Sequence, residues 1–350
     1  MGHLLDNIAK TLSAAIVVLT FLAYLCPFVD PEAFPWLSFF GTAFPWVMLL
    51  NALFAVGWMW RRNRFWLYHV GILVVGWSYV SSFVGLNFGQ STVPENAISV
   101  ATHNIGGIYR NHKRITRDIQ EKTVSRYARF LQENGFPDVL CTQETTGGFY
   151  RLLAAKLGYE HTFNLKKGTV IYSRFPMEAG GDIPFGKTYN STIWVDIRTP
   201  GGKLVRVYSV HLQSNKVTTD TEKVIEEGEF KGEQTWGEIG GILEKVGGAT
   251  RVRAQQAKLL REHIAACPHP AIVCGDFNDT PNSYVYRIVS ENMRDTFRER
   301  GLGFGSTFAG ALPFLRIDYV LTNRKIKTFA CHRARVDMSD HYPVFAEIGF

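Results

Sequence analysis

Three apolar runs of this 350-residue chain end in side chains that can bind a metal ion or a phosphate group. The first ends in Glu144, the second in His211, and the third in Asp276 and Asn278, which fall on one face of an extended chain. Strand ends are rigid, so side chains there can be held converging on one point. Taken singly, Asp276 and Asn278 could be turn formers before Pro281, and His211 could be a core histidine.

A buried acid is harder to explain as a structural residue. Asp318 is flanked by Ile317 and Tyr319 in an apolar run, and a carboxylate there costs free energy unless it has a partner. Asp340-His341 offers that partner further along the chain. An Asp–His pair fixes the tautomer of the imidazole and raises its basicity, which prepares it to hold or protonate a phosphate oxygen.

Elements able to position these residues begin near residue 97. The hydrophobic period predicts strands at 97–104, 138–144, 169–173, 190–199, 205–211, 271–276, 316–322, 328–336 and 344–348, with helices at 118–134, 149–157, 251–266 and 283–291. This mixture of hairpin strands and helices predicts an α/β fold with two mixed sheets packed face to face and helices outside.

The same residues resemble the endonuclease/exonuclease/phosphatase superfamily. The resemblance covers roughly residues 97–350 through motifs in the same order, namely THNI at 102–105, QE at 143–144, YSRFP at 172–176, SVHLQS at 209–214, GDFND at 275–279, RIDYVLTN at 316–323 and SDHYPV at 339–344. It implies a four-layer α/β sandwich that is a metal-dependent phosphoesterase, with Mg²⁺ or Mn²⁺ at one end.

The resemblance also implies a ligand set for the metal. Glu144 matches the principal ligand, assisted by Asn104 and Asp340, and hard oxygen ligands suit Mg²⁺. The abasic-site enzymes of the superfamily carry an acid two positions after the Asn of the first motif, but Gly106 stands there in this chain. A second metal ion is therefore not implied.

The remaining residues take catalytic roles by the same resemblance. Asp276 matches the group that orients or deprotonates the attacking water, and Asn278 matches a donor to a phosphate oxygen. His211 would contact the scissile phosphate or the leaving group. His341, oriented by Asp318, would stabilise the charge that develops on phosphorus.

The first 90 residues have a different composition. Their only charged residues are Asp6, Lys10, Asp30, Glu32, Arg61, Arg62 and Arg64. Between these charges lie uncharged runs of 19, 28 and 30 residues, at 11–29, 33–60 and 65–94. Each run is long enough to cross the roughly 30 Å hydrocarbon layer as a helix, so three transmembrane helices are predicted. Pro45 is expected to kink the second, and His69 to lie at the interface near an end of the third.

Charge bias orients these predicted helices in a multi-pass cell-membrane protein. The basic loop at 61–64 and Lys10 favour the cytoplasmic side, which places residues after about 90 in the periplasm or outside the cell. The predicted organisation is a membrane anchor at 1–94 and a catalytic domain at 95–350. Residues 214–250, glycine-rich with a net charge of −4, are interpreted as a flexible surface insertion.

Composition restricts the substrate only weakly. Beyond residue 90, Lys and Arg outnumber Asp and Glu by 34 to 28, which suits an anionic substrate but is short of a nucleic-acid signature. The five cysteines are odd in number without paired spacing, so neither a disulfide framework nor a zinc site is implied.

The bilayer itself is an expected partner, and tethering to it favours a lipid phosphodiester. A nuclease remains an alternative, for which the basic run from Arg110 to Arg117 could follow a nucleic-acid backbone. Other phosphate esters, a non-catalytic membrane scaffold and a transporter are further alternatives. No protein partner is implied.

Overall fold

Two compact units make up the chain in the computed structural model, which describes all residues except 1, 90, 91, 110, 111, 113, 147, 166, 187, 216–231 and 311. The helical unit comprises Met1–Val84, Asn215–Ala254 and Asp279–Arg287. The sheet unit comprises Gly85–Ser214, Gln255–Asn278 and Ile288–Phe350.

Four α-helices form the N-terminal part of the helical unit: α1 (Gly2–Leu25), α2 (Ser38–Trp60), α3 (Trp66–Val75) and α4 (Trp77–Phe83), with short 3-10 helices at Cys26–Phe28 and Pro35–Leu37. Two helical stretches, His3–Phe28 and Pro35–Trp60, are long and apolar enough to cross a bilayer. Helix α2 continues through Pro45.

The prediction of a third span as one helix is wrong, because the third apolar run breaks at Gly76. The Gly76 N–H caps α3 on Ile72 O, and the Tyr24 hydroxyl donates to the same carbonyl at 2.8 Å. A Cβ on Gly76 would lie 1.9 Å from the Tyr24 hydroxyl oxygen, so only glycine permits this approach. The run therefore yields helices of 10 and 7 residues.

His69 is buried, contrary to the interfacial position expected for it. Its Nδ1 lies 2.9 Å from Asn51 Oδ1, and the Asn51 amide donates to Thr20 Oγ1 at 2.7 Å. The three side chains come from α3, α2 and α1, and all three are fully buried. Inside an apolar bundle such groups must satisfy one another, so this network links the three helices.

Two six-stranded mixed sheets form the sheet unit, which confirms the predicted architecture. The strands are β2 (Ile98–Asn104), β3 (Val139–Gln143), β4 (His161–Asn164), β5 (Val170–Ser173), β6 (Met177–Ile183), β7 (Thr192–Arg198), β8 (Leu204–His211), β9 (Ala271–Asp276), β10 (Met293–Asp295), β12 (Asp318–Asn323), β13 (Lys327–Arg333) and β14 (Val344–Gly349). The first sheet has the order β13-β14-β2-β3-β5-β4 and the second β10-β12-β9-β8-β7-β6. Strands β1 (Val84–Leu86) and β11 (Leu302–Phe304) form a separate pair.

The inner faces of the two sheets share one core. Val100 and Val139 from the first sheet pack in the same cluster as Val207, Ile272 and Val320 from the second. On the outer face of the first sheet, α5 (Arg117–Glu133) and α6 (Phe149–Leu157) bury their apolar stripes. Helices α5 and α6 therefore form the outer helical layer on the first sheet.

The helix predicted at 251–266 begins earlier than its sequence suggested. Helix α7 spans Gly232–Ala265, so the second half of the stretch interpreted as a flexible insertion is helical. The glycines at 237, 240, 241, 247 and 248 concealed this, because glycine is a poor helix former. The short helices α8 (Tyr284–Val289) and α9 (Thr296–Arg300) complete the described elements.

Candidate active site

Strand direction and register bring the predicted site residues together. Strands β2 and β3 are parallel with Asn104 opposite Gln143, so Asn104 and Glu144 emerge at the same end. In the second sheet, β8 and β9 are parallel with His211 opposite Asp276, and the antiparallel β12 places Asp318 opposite Asp276 from the other side. Parallel strands deliver their carboxyl ends to one edge, which explains the convergence.

The Asp276 carboxylate is buried within a set of amide donors. The Asn278 backbone N–H donates to Oδ1 at 2.7 Å, and the side-chain amides of Asn278 and Asn104 donate to Oδ2 at 3.1 and 3.0 Å. Burial, together with the neighbouring negative charge of Asp318, raises the pKa of Asp276 to about 6. Asp276 is therefore ionised at neutral pH while staying basic enough to accept a proton.

Asp318 and His341 form the buried pair expected from the sequence. His341 Nδ1 donates to Asp318 Oδ2 at 2.9 Å, which directs its other nitrogen, Nε2, towards Asp276 Oδ2 at 3.9 Å. Burial alone would lower the pKa of His341, but the charges of Asp318 and Asp276 and the hydrogen bond raise it to about 10. His341 is thus a cation at neutral pH.

Three residues outside the predicted set hold the His341 loop in place. Ser339 Oγ donates to Asn104 O at 2.8 Å and accepts the His341 backbone N–H at 3.1 Å. His103 Nε2 donates to His341 O at 3.0 Å, and burial lowers the pKa of His103 to about 3, so it stays neutral. The Phe308 ring packs edge-on against the His341 imidazole, with 5.5 Å between centroids.

His211 ends β8, which pairs with β9 on the side away from β12. Its Nε2 is 3.9 Å from Asp276 Oδ2 and 3.6 Å from Glu144 Oε1. The Asn190 amide donates to the same nitrogen at 3.0 Å, and burial lowers the pKa of His211. His211 is therefore neutral and carries its proton on Nδ1. No sequence pattern marks Asn190 as a site residue, because it stands at the start of a predicted strand.

The three predicted metal ligands differ in exposure, since Glu144 is exposed, Asp340 is partly buried and Asn104 is buried. Glu144 has a side chain 47% exposed, and its Oε1 accepts from Asn104 Nδ2 at 3.1 Å. The Asn104 Oδ1 atom accepts the Gly106 N–H at 2.9 Å. The Asp340 carboxylate lies 3.5 Å from Ser339 Oγ, the hydroxyl that also binds the backbone after Asn104.

Gly106 leaves room for the Glu144 carboxylate. A Cβ at position 106 would lie 2.5 Å from Glu144 Oε2 and 3.1 Å from Asn104 Oδ1. The space that a side chain at 106 would need is thus filled by Glu144. This agrees with the sequence, in which no acid stands at this position.

A second group of residues could also hold a cation. Ligand atoms of Asp276, Asp318 and His341 all lie within 4.8 Å of one another, and all three residues are buried. The His341 Nδ1–H already occupies Asp318 Oδ2, whereas Mg²⁺ prefers oxygen ligands and retains several waters. The half-exposed Glu144 with its neighbouring oxygens fits such an ion better. Arg110, predicted as a substrate contact, lies outside the described residues.

Two non-glycine residues of the site adopt left-handed backbone conformations, Glu144 at φ 54° and Asn278 at φ 52°. Such conformations cost on the order of 1–3 kcal/mol and persist where surrounding structure enforces them. Gly275 precedes Asp276 at φ 147°, and a Cβ there would lie 2.0 Å from Val210 O. The turn that carries Asp276 and Asn278 is therefore tightly constrained.

One protein-family model covers the part of the chain that contains the two sheets and the site. Residues 101–341 match the model of the Endonuclease/Exonuclease/phosphatase family. The chain belongs to this family. Its members are phosphoester hydrolases, and the match runs from β2 to His341, which includes every predicted site residue. A second model, of a domain of unknown function, matches residues 6–83.

Solved structures of the endonuclease/exonuclease/phosphatase fold resemble the chain at low sequence identity. A family member from Bacteroides vulgatus has a TM-score of 0.54 at 17% identity and covers 73% of this chain and 100% of its own. A humanized D. rerio TDP2 with 14 mutations has 0.52 at 14%, covering 73% and 100%. The Bacteroides thetaiotaomicron mannosyl-6-phosphatase has 0.52 at 17%, covering 72% and 100%. No curated protein matches the chain.

Proposed function

We propose that this family member is a membrane-anchored, metal-dependent phosphoesterase. The observation that carries the proposal is the position of Asp276 Oδ2, which lies 3.9 Å from Nε2 of both His211 and His341. Around this one oxygen, Asp276 supplies a base, the neutral His211 supplies a polar contact and the cationic His341 supplies a positive charge. Hydrolysis of a phosphate ester needs positioning and charge neutralisation of this kind.

Asp276 is proposed to orient the attacking water and accept its proton. The side-chain amides of Asn104 and Asn278 hold the Asp276 carboxylate in place. The Asn278 amide also donates to Leu212 O at 3.0 Å. Donation from Asn278 to a phosphate oxygen therefore requires release of one of these bonds. His341 stabilises the negative charge that develops on phosphorus, and Asp318 keeps it protonated.

Glu144, with Asn104 and Asp340, is proposed to hold the metal ion. When bound, Mg²⁺ or Mn²⁺ would neutralise charge on the phosphate oxygens. Exposure of the Glu144 side chain supports this assignment because the ion and its waters need an accessible carboxylate.

An activity assay of the solubilised full chain tests the proposal. We expect Mg²⁺- or Mn²⁺-dependent hydrolysis of bis-p-nitrophenyl phosphate that is lost in a chelator and restored by the metal. A panel of phospholipids, sphingomyelin, plasmid DNA and sugar phosphates would then identify the substrate. Inactivity on every substrate with both metals would contradict the proposal and favour a non-catalytic scaffold.

Membrane insertion and orientation belong to the same proposal. Helices α1 and α2 are proposed to cross the bilayer, with α3 and α4 together returning to the end of α1, since Phe83 packs in one cluster with Ala23 and Tyr24. The N-terminus is then cytoplasmic and the sheet unit periplasmic. Reporter fusions after Phe350 test this, because a cytoplasmic signal would reverse the orientation.

A lipid phosphodiester is the proposed substrate class, with nucleic acid as the alternative. An exposed apolar patch of the sheet unit supports it, formed by Leu86 at the end of β1, by Phe88 just after it, and by Leu302 and Phe304 in the paired β11. Each of these four side chains is 49–78% exposed, and the Asn87 N–H donates to Gly301 O at 3.4 Å where the two segments meet. Patches of this kind mark membrane or protein interaction sites.

Substitution of this patch tests whether it helps the protein to reach a substrate embedded in a membrane without changing the hydrolysis step itself. We expect the double change Leu302→Ser and Phe304→Ser to lower turnover of a vesicle-embedded phosphodiester by about 10-fold, because these side chains contribute roughly 1.5–3 kcal/mol each on full burial and less when partly buried. Hydrolysis of bis-p-nitrophenyl phosphate should be unchanged. Equal loss on both substrates would show that the patch serves folding rather than lipid access.

A further inference from the structure

The segment after Asn278 is built into the helical unit rather than the sheet unit. Asp279–Arg287 forms one compact unit with the N-terminal helices. The Asp279 carboxylate pairs with Arg253 at 3.2 Å, and both side chains are almost fully buried. The Tyr284 hydroxyl donates to Asp30 Oδ2 at 3.2 Å at the other end of the segment.

Two prolines in the helices create the acceptors that this segment uses. An α-helical carbonyl accepts from the N–H four residues later, and proline has no N–H. Pro27 therefore leaves Ala23 O without its usual donor, and Pro45 does the same for Gly41 O. Asn282 Nδ2 donates to Ala23 O at 3.0 Å, and Thr280 Oγ1 donates to Gly41 O at 3.2 Å.

Close packing accompanies the two hydrogen bonds. A Cβ added to Gly41 would lie 2.3 Å from Asn282 O. This oxygen belongs to the backbone, so it cannot move away by a change of side-chain rotamer. The helix surface at Gly41 is thus shaped to receive the backbone at Asn282. Thr280, Asn282 and Gly41 are all fully buried or nearly so.

One peptide bond separates this segment from the catalytic turn. Asn278 donates its backbone N–H and its side chain to Asp276, and it does so from a left-handed conformation. Such a conformation needs support from the chain on both sides. On its C-terminal side, the chain passes directly into the segment held by Thr280 and Asn282.

We infer that the N-terminal helices position the catalytic turn of Asp276 and Asn278 through the hydrogen bonds of Thr280 to Gly41 O and of Asn282 to Ala23 O. Thr280, Asn282 and Gly41 are positioning residues, and the helices act on catalysis as well as anchoring the chain. This inference rests on the proposed function, since it assigns the helices a part in the same reaction.

Gly41→Ala tests the inference against a matched helix substitution, Gly57→Ala, whose added Cβ would meet nothing within 4 Å. Both full-length variants are assayed in detergent on bis-p-nitrophenyl phosphate. We expect Gly41→Ala to lower kcat by about 10- to 100-fold with KM nearly unchanged, because small misplacement of catalytic groups slows chemistry strongly. Gly57→Ala should match the wild type. Wild-type kcat in Gly41→Ala would overturn the inference.

A rescue experiment distinguishes positioning from general destabilisation. Thr280→Val removes the hydroxyl at constant shape and should also lower kcat. In a Pro45→Ala background the helix supplies its own N–H to Gly41 O, so the loss from Thr280→Val should shrink by at least about 3-fold, a coupling typical of residues in contact. Strictly additive losses would overturn the inference. This pair also serves if Gly41→Ala fails to fold.

Hydrogen exchange provides a readout that does not need activity. Amides of residues 279–287 should exchange faster in Gly41→Ala than in Gly57→Ala. If the wild type hydrolyses nothing, the proposed function fails, and the exchange comparison still decides whether the helices hold this segment. Unchanged exchange would overturn the inference whatever the activity.

Discussion

Replacing Asp276 by Asn is expected to lower kcat for bis-p-nitrophenyl phosphate by about 10²- to 10⁴-fold, the usual contribution of a positioned general base. The Asn side chain keeps the volume, and its amide oxygen can accept from the Asn104 and Asn278 side chains, but its NH2 group loses the hydrogen bond from the Asn278 backbone N–H and it cannot take up a proton. KM should therefore change little, and the thermal unfolding midpoint should fall only by what one lost hydrogen bond costs, about 1–3 kcal/mol. Steady-state kinetics with saturating Mg²⁺ and a thermal melt measure both.

The matched control is Asp196→Asn, which also neutralises a buried carboxylate of the second sheet. Asp196 binds Arg206 through two contacts of 2.7 Å, so its loss should lower stability while kcat stays near the wild-type value. A kcat within about 3-fold of wild type in Asp276→Asn would remove Asp276 from the mechanism.

Asp318→Asn is expected to lower kcat by about 10²-fold and to change the pH dependence of the reaction. The pKa of His341 is raised to about 10, so the catalytic cation is present below that pH and is lost as the pH rises through it. Asp276, with a pKa raised to about 6, gains its charge as the pH rises through 6. The wild type should therefore be most active between these two values.

Loss of the Asp318 charge lowers the pKa of His341, because the carboxylate that most favours its protonated form is gone. The alkaline limit of activity should move to lower pH, while the acid limit should not move upward. Profiles of kcat/KM against pH for wild type, Asp318→Asn and His341→Asn make the comparison. An alkaline limit that persists unchanged in His341→Asn would show that another group sets it.

The sequence sufficed for most elements of the sheet unit because their hydrophobic periods are regular. Strand β9 was predicted at its observed bounds, and the Asp318–His341 pair followed from the cost of burying an acid in an apolar run. Strand β6 was missed, since adjacent Gly180 and Gly181 interrupt its pattern; Gly181 packs against the Trp194 ring.

Residues that act through tertiary contacts left no such pattern. Asn190 donates to His211 from the loop before β7, and Ser339 binds both the Asn104 carbonyl and the His341 N–H, so both residues are recognisable only once the strands are paired. The break at Gly76 was missed for the same reason. The length of an apolar run predicts how long a helix could be, but the contact between Gly76 and Tyr24 determines where α3 ends.

At position 144 the residue that would be most stable differs from the residue that the proposed function needs, because the backbone there is left-handed. The Glu144 side chain is half exposed and adds little packing, while its conformation is one that glycine adopts freely. Selection of this protein for heat resistance would favour Glu144→Gly, and that substitution would remove the proposed metal ligand. Screens that rank variants by melting temperature alone would enrich for inactive protein at this position.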